Sequence, residues 1–365
     1  MAAKLTWNKL CISRSEVELS KVLRCGQTFR WKNIDDVWTF TIKDRIVLLR
    51  QNDDAVEYSH VPHHKKSDDG DIRSQGETKS FLQDYFNLDI TLGDLYDHWS
   101  KKDGNFKRVL KSSPFQEFKG IRILRQDPWE TLVSFICSSN NNVKRISKMC
   151  EALCVEFGDY VNEYAGVKHY SFPSPEQLLS SPSLESRLRE LGFGYRAKYI
   201  YATASRMTGD EYPDITVEKL NSMREEDYET AHNFLLQLMG VGPKVADCIC
   251  LMALDKHDVV PVDTHVYQIA LRDYKFKGKR DLKTLNPKVY NDIRLHFKNI
   301  FGDFAGWAQS VLFTSDLSDL NNGINKIEQA SSSVKRLKTE SENIDHNEAE
   351  ILTKSTVSKR IKVEV

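Results

Sequence analysis

The stretch Leu238-Met239-Gly240-Val241-Gly242-Pro243-Lys244-Val245-Ala246-Asp247 constrains this chain more than any other. Glycine at 240 suits the left-handed C′ position that ends a helix. Gly242 allows a second tight turn, and Pro243 is pre-set for the first position of the next helix. Two helices joined by Gly-Val-Gly form a short hairpin with backbone N–H groups exposed at a helix N-terminus. Such an end binds a phosphate without help from net charge. A plain helix–turn–helix connection is the alternative; an apolar residue between two glycines favours the anion-binding hairpin. It is not a Walker loop, because Gly-x4-Gly-Lys-Ser/Thr is absent.

Lys244 falls in the first turn of the second helix. The partly positive helix N-terminus and burial both disfavour an ammonium there, and so favour the nucleophilic amine. An exposed surface lysine is the plain alternative. Nineteen residues on comes Pro261-Val262-Asp263-Thr264-His265. Asp263 reads either as the N-cap of a following helix or as a carboxylate facing Lys244, where it steers a proton or stabilises a developing cation. Pairing pulls the lysine back toward ammonium, and the sequence does not decide which influence wins.

Around this segment the chain divides into three. Val37-Trp38-Thr39-Phe40-Thr41-Ile42 alternates and is rich in strand formers, Lys43-Asp44-Arg45 turns it, and Ile46-Val47-Leu48-Leu49 returns. A polar insertion at about 60–79 reads as a loop, and its His60, His63 and His64 as solvated rather than metal-binding. Asp127-Pro128-Trp129-Glu130 is a helix start. Helical texture follows at 143–157, 185–191, 196–207, 229–239, 243–254, 264–273, 287–300 and 303–316. From Asn321 the composition is that of a disordered tail, with basic clusters at 335–338 and 359–362 that fit nuclear import as well as solvated charge. The seven cysteines are odd in number, include no Cys-x2-Cys pair and follow no secretory signal, so a reducing compartment is expected. Cys150 and Cys154 are spaced as packed residues on one helix face. No apolar run reaches the length of a spanning helix.

The hairpin and the following Val-Pro-Val-Asp-Thr-His (260–265) resemble the helix-hairpin-helix DNA glycosylases, and more narrowly the eukaryotic 8-oxoguanine DNA glycosylases. Four further stretches carry the likeness: Gly26-Gln27-Thr28-Phe29-Arg30-Trp31, Cys137-Ser138-Ser139-Asn140-Asn141-Asn142, Gly192-Phe193-Gly194-Tyr195-Arg196-Ala197, and Gly306-Trp307-Ala308-Gln309-Ser310-Val311-Leu312-Phe313. The likeness runs in order from about Trp7 to Leu320. Because it starts at Trp7, no cleavable mitochondrial presequence is expected in this form.

The resemblance implies an α+β protein: an N-terminal antiparallel β-sheet domain with helices (1–125), an all-α helix-hairpin-helix glycosylase domain (126–320, hairpin 238–247) and the tail (321–365). It implies a bifunctional repair enzyme that flips out 8-oxoguanine opposite cytosine. Lys244 would attack the sugar C1′ and expel the base; the Schiff base then permits β-elimination at the abasic site. Asp263 would orient the reaction. In the pocket, the Gly26 carbonyl would accept the lesion's N7 proton, Gln309 would read the Watson–Crick edge, Phe313 would stack, and Cys248 with Met252 would cover the other face. Helix geometry agrees, since Gln309/Phe313 and Lys244/Cys248 are both i, i+4 pairs. Cys25 stands where the family would lead one to expect serine or another small residue; a backbone role at Gly26 survives this. Asn140 would fill the gap in the duplex, Arg145 and Arg196 would bond the estranged cytosine, and Tyr195 would wedge into the stack. Gly240, Val241, Gly242 and His265 would hold the DNA backbone. No cofactor and no metal are expected. The expected partner is double-stranded DNA carrying 8-oxoguanine opposite cytosine; a membrane is not, and the protein should be a monomer. A nuclear location is expected, with a mitochondrial form left open.

The rivals are a glycosylase of the same fold for another damaged base, and a non-catalytic helix-hairpin-helix DNA-binding module. Gly26, Gln309 and the Asn140/Arg145/Arg196 set speak against the first; Lys244 and Asp263 together speak against the second. An iron–sulfur relative is excluded because no four-cysteine cluster motif follows Cys250. The 52 basic and 52 acidic residues cancel, which taken as an average is adverse to a polyanion partner. The charge is uneven, however. Residues 270–300 hold nine basic and three acidic side chains, a net of +6, while 51–80 hold four and seven, a net of −3. Neutrality therefore argues against tight non-specific binding rather than against DNA.

Overall fold

In a computed structural model, residues 5–65, 72–104, 113–209, 211–278 and 285–317 are described. The N-terminal part is built on an antiparallel sheet of β1 (Asn8–Leu10), β2 (Lys32–Ile34), β3 (Val37–Ile42), β4 (Arg45–Gln51) and β5 (Val56–Pro62), in the order β1-β5-β4-β3-β2. The alternating stretch forms β3 and pairs with β4 in the register Phe40↔Val47. Asp35 and Asp36, with φ of 49° and 63°, make the two-residue turn between β2 and β3. Positive φ at both positions gives a turn whose twist matches the strands, and short polar residues tolerate it.

Helices α1 (Leu19–Val22), α2 (Ile72–Tyr85), α3 (Leu92–Lys102) and α4 (Pro114–Glu117) accompany the sheet. The insertion expected as a loop at 60–79 is corrected here. β5 runs through to Pro62, and a helix begins at Ile72; residues 66–71 lie outside the described residues. The polar composition belongs to that helix's outer side. Its inner side is fixed by Arg45, which donates to the Ser74 carbonyl (2.7 Å) and to Thr78 Oγ1 (3.0 Å). His60 belongs to β5 and meets Ser74 Oγ at 3.0 Å, while the His63 and His64 rings stack on each other at 4.5 Å. His60 and His63 are half-buried, while His64 is exposed as expected.

The second part is helical: α5 (Pro128–Ser138), α6 (Val143–Phe157), α7 (Pro175–Leu179), α8 (Leu184–Glu190), α9 (Arg196–Thr208), α10 (Val217–Ser222), α11 (Tyr228–Leu236), α12 (Pro243–Ala253), α13 (Thr264–Asp273), α14 (Pro287–Phe301) and α15 (Ala305–Asp316). Asp127 caps α5 by accepting the Glu130 N–H at 2.8 Å, with Pro128 in the first turn as its sequence predicts. Cys150 and Cys154 are both buried on α6. One element goes unannounced in the sequence: a hairpin of β6 (Tyr160–Tyr164) and β7 (Val167–Tyr170), turned at Ala165-Gly166. It docks on the sheet, where Asn162 donates to the Pro62 carbonyl (2.7 Å) and His169 Nε2 meets Thr39 Oγ1 (2.9 Å). The tail and its basic clusters lie outside the described residues, and among those described no helix is long and apolar enough to cross a membrane.

Among the described residues the apolar core falls into two clusters against the sheet, one of them joining Ile46 and Leu48 to Val161 of β6, and two that hold the helices. The segment Cys25–Phe29 joins both helical clusters, with Cys25 in one and Phe29 in the other. Met252 on α12 packs against both as well. The candidate site lies along that seam.

Candidate active site

Gly240 takes the expected left-handed φ, +86°, but in the turn beyond the hairpin's first helix, which ends at Leu236 rather than directly before the glycine. A Cβ there would come within 2.7 Å of the Tyr199 side chain, so the backbone approaches α9 as only glycine permits. Gly242 is different: it is extended (φ −98°) and caps α12 without a side chain. Val241 is buried and anchors the turn, while Gly242 faces open space. Thr203 on α9 donates to the Met239 carbonyl (3.1 Å), and Arg206 donates to that of Gln237. The hairpin is thus held from behind; Val241 donates its N–H back to the Leu238 carbonyl (3.2 Å), and Gly242 at the tip is exposed.

Lys244 sits in the first turn of α12, its ammonium 5.4 Å above the centre of the Phe135 ring. Phe135 in turn meets Phe29 edge-on at 5.6 Å. Asp263 is indeed the N-cap of α13: it accepts the Val266 N–H at 2.8 Å. It also lies close enough to Lys244 to act on its charge. The two readings of Asp263 are therefore compatible. Burial, the largest influence on Lys244, lowers its pKa; the Cys248 sulfur and then the Asp263 carboxylate raise it, and the net direction is upward. Burial pushes the Cys248 thiol up to about 11, with Lys244 pulling it back. Lys244 and Cys248 thus act on each other, and the Asp263 carboxylate adds to the upward shift of the lysine, which together outweigh its burial.

The expected pocket residues come together. Gly26 has φ +86°, and a Cβ placed on it would contact Phe313 at 4.0 Å and Val143 at 3.7 Å. Gln309 is buried, 7% exposed, and its amide makes no hydrogen bond among the described residues. Its amide atoms are not among the fully buried unpaired ones, so they are open to a ligand. Cys248 and Met252 follow Lys244 along one face of α12. Behind Gly26, Gln27 donates to the Arg122 carbonyl (2.9 Å) and accepts the Leu124 N–H (3.0 Å). Gln126 donates its side chain to the Gln27 carbonyl (2.9 Å) and its backbone N–H to that of Met252 (3.0 Å). This pair of glutamines ties the Gly26 loop to the lysine's helix. Neither they nor Phe135 carry a local sequence signal, because their partners lie about a hundred residues away in the chain or on a neighbouring element.

A second cluster forms at the end of α5. Asn140 adopts φ +47° and is exposed. The buried Arg196 donates to the Ser139 and Asn140 carbonyls, and the Tyr195 hydroxyl donates to that of Ser139 (3.0 Å). Arg145 donates to the Gly192 carbonyl at 3.1 Å. All four expected residues meet at one edge, with 45% of Tyr195 exposed. His265, expected to hold a phosphate, stands 2.8 Å from Asp316 and 5.1 Å edge-on from the Phe313 ring. Arg272 likewise pairs with Asp316 (2.9 Å), Lys298 with Asp258 (2.5 Å) and Arg294 with Asp247 (3.4 Å). Much of the basic patch is therefore already neutralised within the protein; Lys279, Arg280 and Lys283 lie outside the described residues.

Residues 9–132 match the family model for the 8-oxoguanine DNA glycosylase N-terminal domain, and 133–289 that for HhH-GPD superfamily base excision DNA repair proteins. The N-glycosylase/DNA lyase of Saccharomyces cerevisiae is 41% identical, over 85% of this chain and 86% of its own length. The N-glycosylase/DNA lyase OGG1 of Arabidopsis thaliana is 37% identical, over 89% and 86%. The 8-oxoguanine glycosylase/lyase of Clostridium acetobutylicum, solved with double-stranded DNA containing cytosine opposite 8-oxoguanine, superposes with a TM-score of 0.67 at 27% identity, covering 87% of this chain and 99% of that one.

Proposed function

The chain belongs to the 8-oxoguanine DNA glycosylase family, and from that premise we propose how its residues divide the reaction. It is a bifunctional DNA repair enzyme, an N-glycosylase and DNA lyase for 8-oxoguanine, and DNA is its partner. The hairpin at Gly240–Gly242 grips the backbone, and the lesion is flipped into the pocket between Gly26 and Phe313, where Gln309 gains the partners it lacks. Phe313 and Cys248 flank the base and Met252 lines the wall. Asn140 takes the place of the departed base, Arg145 and Arg196 bond the cytosine, and Tyr195 wedges beside it. Arg196 must then exchange backbone carbonyls for the base, and His265 must exchange Asp316 for a phosphate.

Lys244 is the nucleophile. As an ammonium it has no lone pair, so a proton leaves before its nitrogen bonds C1′ and the bond to the base breaks. The Asp263 carboxylate stabilises the positive charge on the sugar. The sugar ring opens by breaking C1′–O4′, with a proton moving from nitrogen to O4′, which leaves a Schiff base; loss of a C2′ proton then expels the 3′ phosphate by β-elimination, and water releases the amine. One observation carries this reading. Lys244 lies over Phe135, Phe135 on Phe29, Gly26 beside Phe313, and Phe313 against His265, two residues beyond Asp263. That closed circuit brings the lysine and carboxylate to the base pocket. A monomer acting in the nucleus is part of the same proposal; the basic tail clusters support the location.

The test is borohydride treatment during turnover on duplexes with 8-oxoguanine or an alkylated base opposite cytosine. A trapped covalent complex on 8-oxoguanine, lost in Lys244→Gln, is expected. Trapping on the alkylated base alone would favour the rival glycosylase; binding without excision would favour the non-catalytic module.

A further inference from the structure

Three residues beyond Lys244, on a neighbouring face of α12, Asp247 has no exposed surface. Its carboxylate accepts the Tyr228 hydroxyl from α11 (2.8 Å) and the Tyr290 hydroxyl from α14 (2.5 Å). His232 Nε2 lies 3.5 Å from one oxygen and Arg294 Nε 3.4 Å from the other. The Tyr290 oxygen also accepts the backbone N–H of Val262 at 3.4 Å. Val262 directly precedes Asp263. A chain of two hydrogen bonds therefore runs from the helix that carries the lysine, through one phenol, to the backbone that presents the carboxylate.

We propose that the Asp247–Tyr290 pair is a positioning device that sets Lys244 against Asp263, Tyr290 acting through Val262 and Asp247 through α12. The proposal rests on the roles given above to Lys244 and Asp263. Asp247 and Tyr290 lie near enough to Cys248 to act on its charge, but their hydrogen bonds run to each other and to Val262. A buried carboxylate is a poor way to hold three helices together, because well-packed apolar residues of similar volume do as well or better without desolvating a charge. Burial raises the Asp247 pKa, and Arg294, Tyr290, Tyr228 and His232 oppose that. What apolar packing would not supply is a directional link between α12 and the Val262 amide. Reaction between bound groups is steep in their separation, so such a link bears on rate more than on affinity.

Tyr228 provides the control, since its hydroxyl bonds the same carboxylate but has no tie to Val262. Single-turnover excision of 8-oxoguanine at saturating protein, the Kd for duplex with an abasic analogue, and the Tm are measured for Tyr290→Phe, Tyr228→Phe, Asp247→Leu and Lys244→Gln. Tyr290→Phe should excise slower by about tenfold or more, as displaced catalytic groups do, with unchanged Kd. Tyr228→Phe should lower Tm as much as Tyr290→Phe does, yet excise at the parental rate. Asp247→Leu, which cannot accept a hydrogen bond, should be slowed at least as far as Tyr290→Phe. Equal slowing in the two tyrosine variants would mean that the carboxylate merely stabilises, and parental rates in Tyr290→Phe or Asp247→Leu would remove the link altogether. Either result overturns the proposal. Excision by Lys244→Gln at the parental rate would instead overturn the assignment of the nucleophile on which it rests.

Discussion

A lysine that works as a nucleophile but rests as an ammonium makes the chemical step depend on pH. The Asp263 carboxylate and the Cys248 sulfur outweigh burial and hold the Lys244 pKa above its ordinary value. Only the fraction without the proton attacks, and below the pKa that fraction grows tenfold per pH unit. Single-turnover excision should therefore rise between about pH 6 and pH 8; a rate that stays flat over this range would mean that the amine is free at rest. Base recognition is separable from the lysine's chemistry. Gln309→Ala and Phe313→Ala each remove one buried contact to the base, worth about 1–3 kcal/mol, and should slow excision by about ten- to a hundredfold. Cleavage of a preformed abasic site needs no base in the pocket and should change little in the same nicking assay. These residues were legible because helical period puts Gln309 with Phe313, and Lys244 with Cys248, on one face whatever the tertiary structure. Phe135, Gln27, Gln126 and Asp247 were not, because each acquires its role from a partner on another element.

The hairpin element is legible almost to the residue, since Gly-Val-Gly-Pro has few conformations open to it. The two glycines nonetheless differ: Gly240 needs its left-handed φ and its missing Cβ, whereas Gly242 is extended and open. Gly240→Ala would cost about 1–2 kcal/mol for the left-handed backbone alone, before the clash with Tyr199. It should lower both the Tm and the affinity for abasic-analogue DNA, while Gly242→Ala should leave the Tm nearly unchanged; equal Tm losses would contradict this account of the turn. Elsewhere composition misled. α2 is polar on its outer side and carries Gly76, so its sequence resembles a loop; Arg45, from a strand far away in sequence, fixes it. The β6–β7 hairpin is too short for periodicity to announce, and becomes a strand pair because the sheet's β3 and β5 strands receive His169 and Asn162.

For the molecule as a whole, the net charge of zero and the local surplus of +6 in residues 270–300 are both incomplete guides. Arg272, Arg294 and Lys298 are committed to Asp316, Asp247 and Asp258. DNA binding should then draw on hairpin amides and a few free cations, such as the exposed Lys275, Lys277 and Lys288. Affinity for undamaged duplex should be weak at physiological salt, with a shallow slope of about 0.9 per phosphate contacted in a plot of log Kd against log salt; tight binding with a steep slope would show the patch to be unpaired in solution. Fold class was legible because the alternating strands and the capped helices are local patterns. The meeting of the two parts was not, since the Gly26 loop reaches α12 through buried glutamines and through Phe29 and Phe135, all distant in sequence. The central claim is that this meeting places Lys244, and no other amine, against the flipped nucleotide. Mass spectrometry of a proteolytic digest of the borohydride-trapped complex tests it most directly. The sugar remnant should be found on the peptide that contains Lys244; a remnant on another lysine, or on the N-terminal amine, would contradict it.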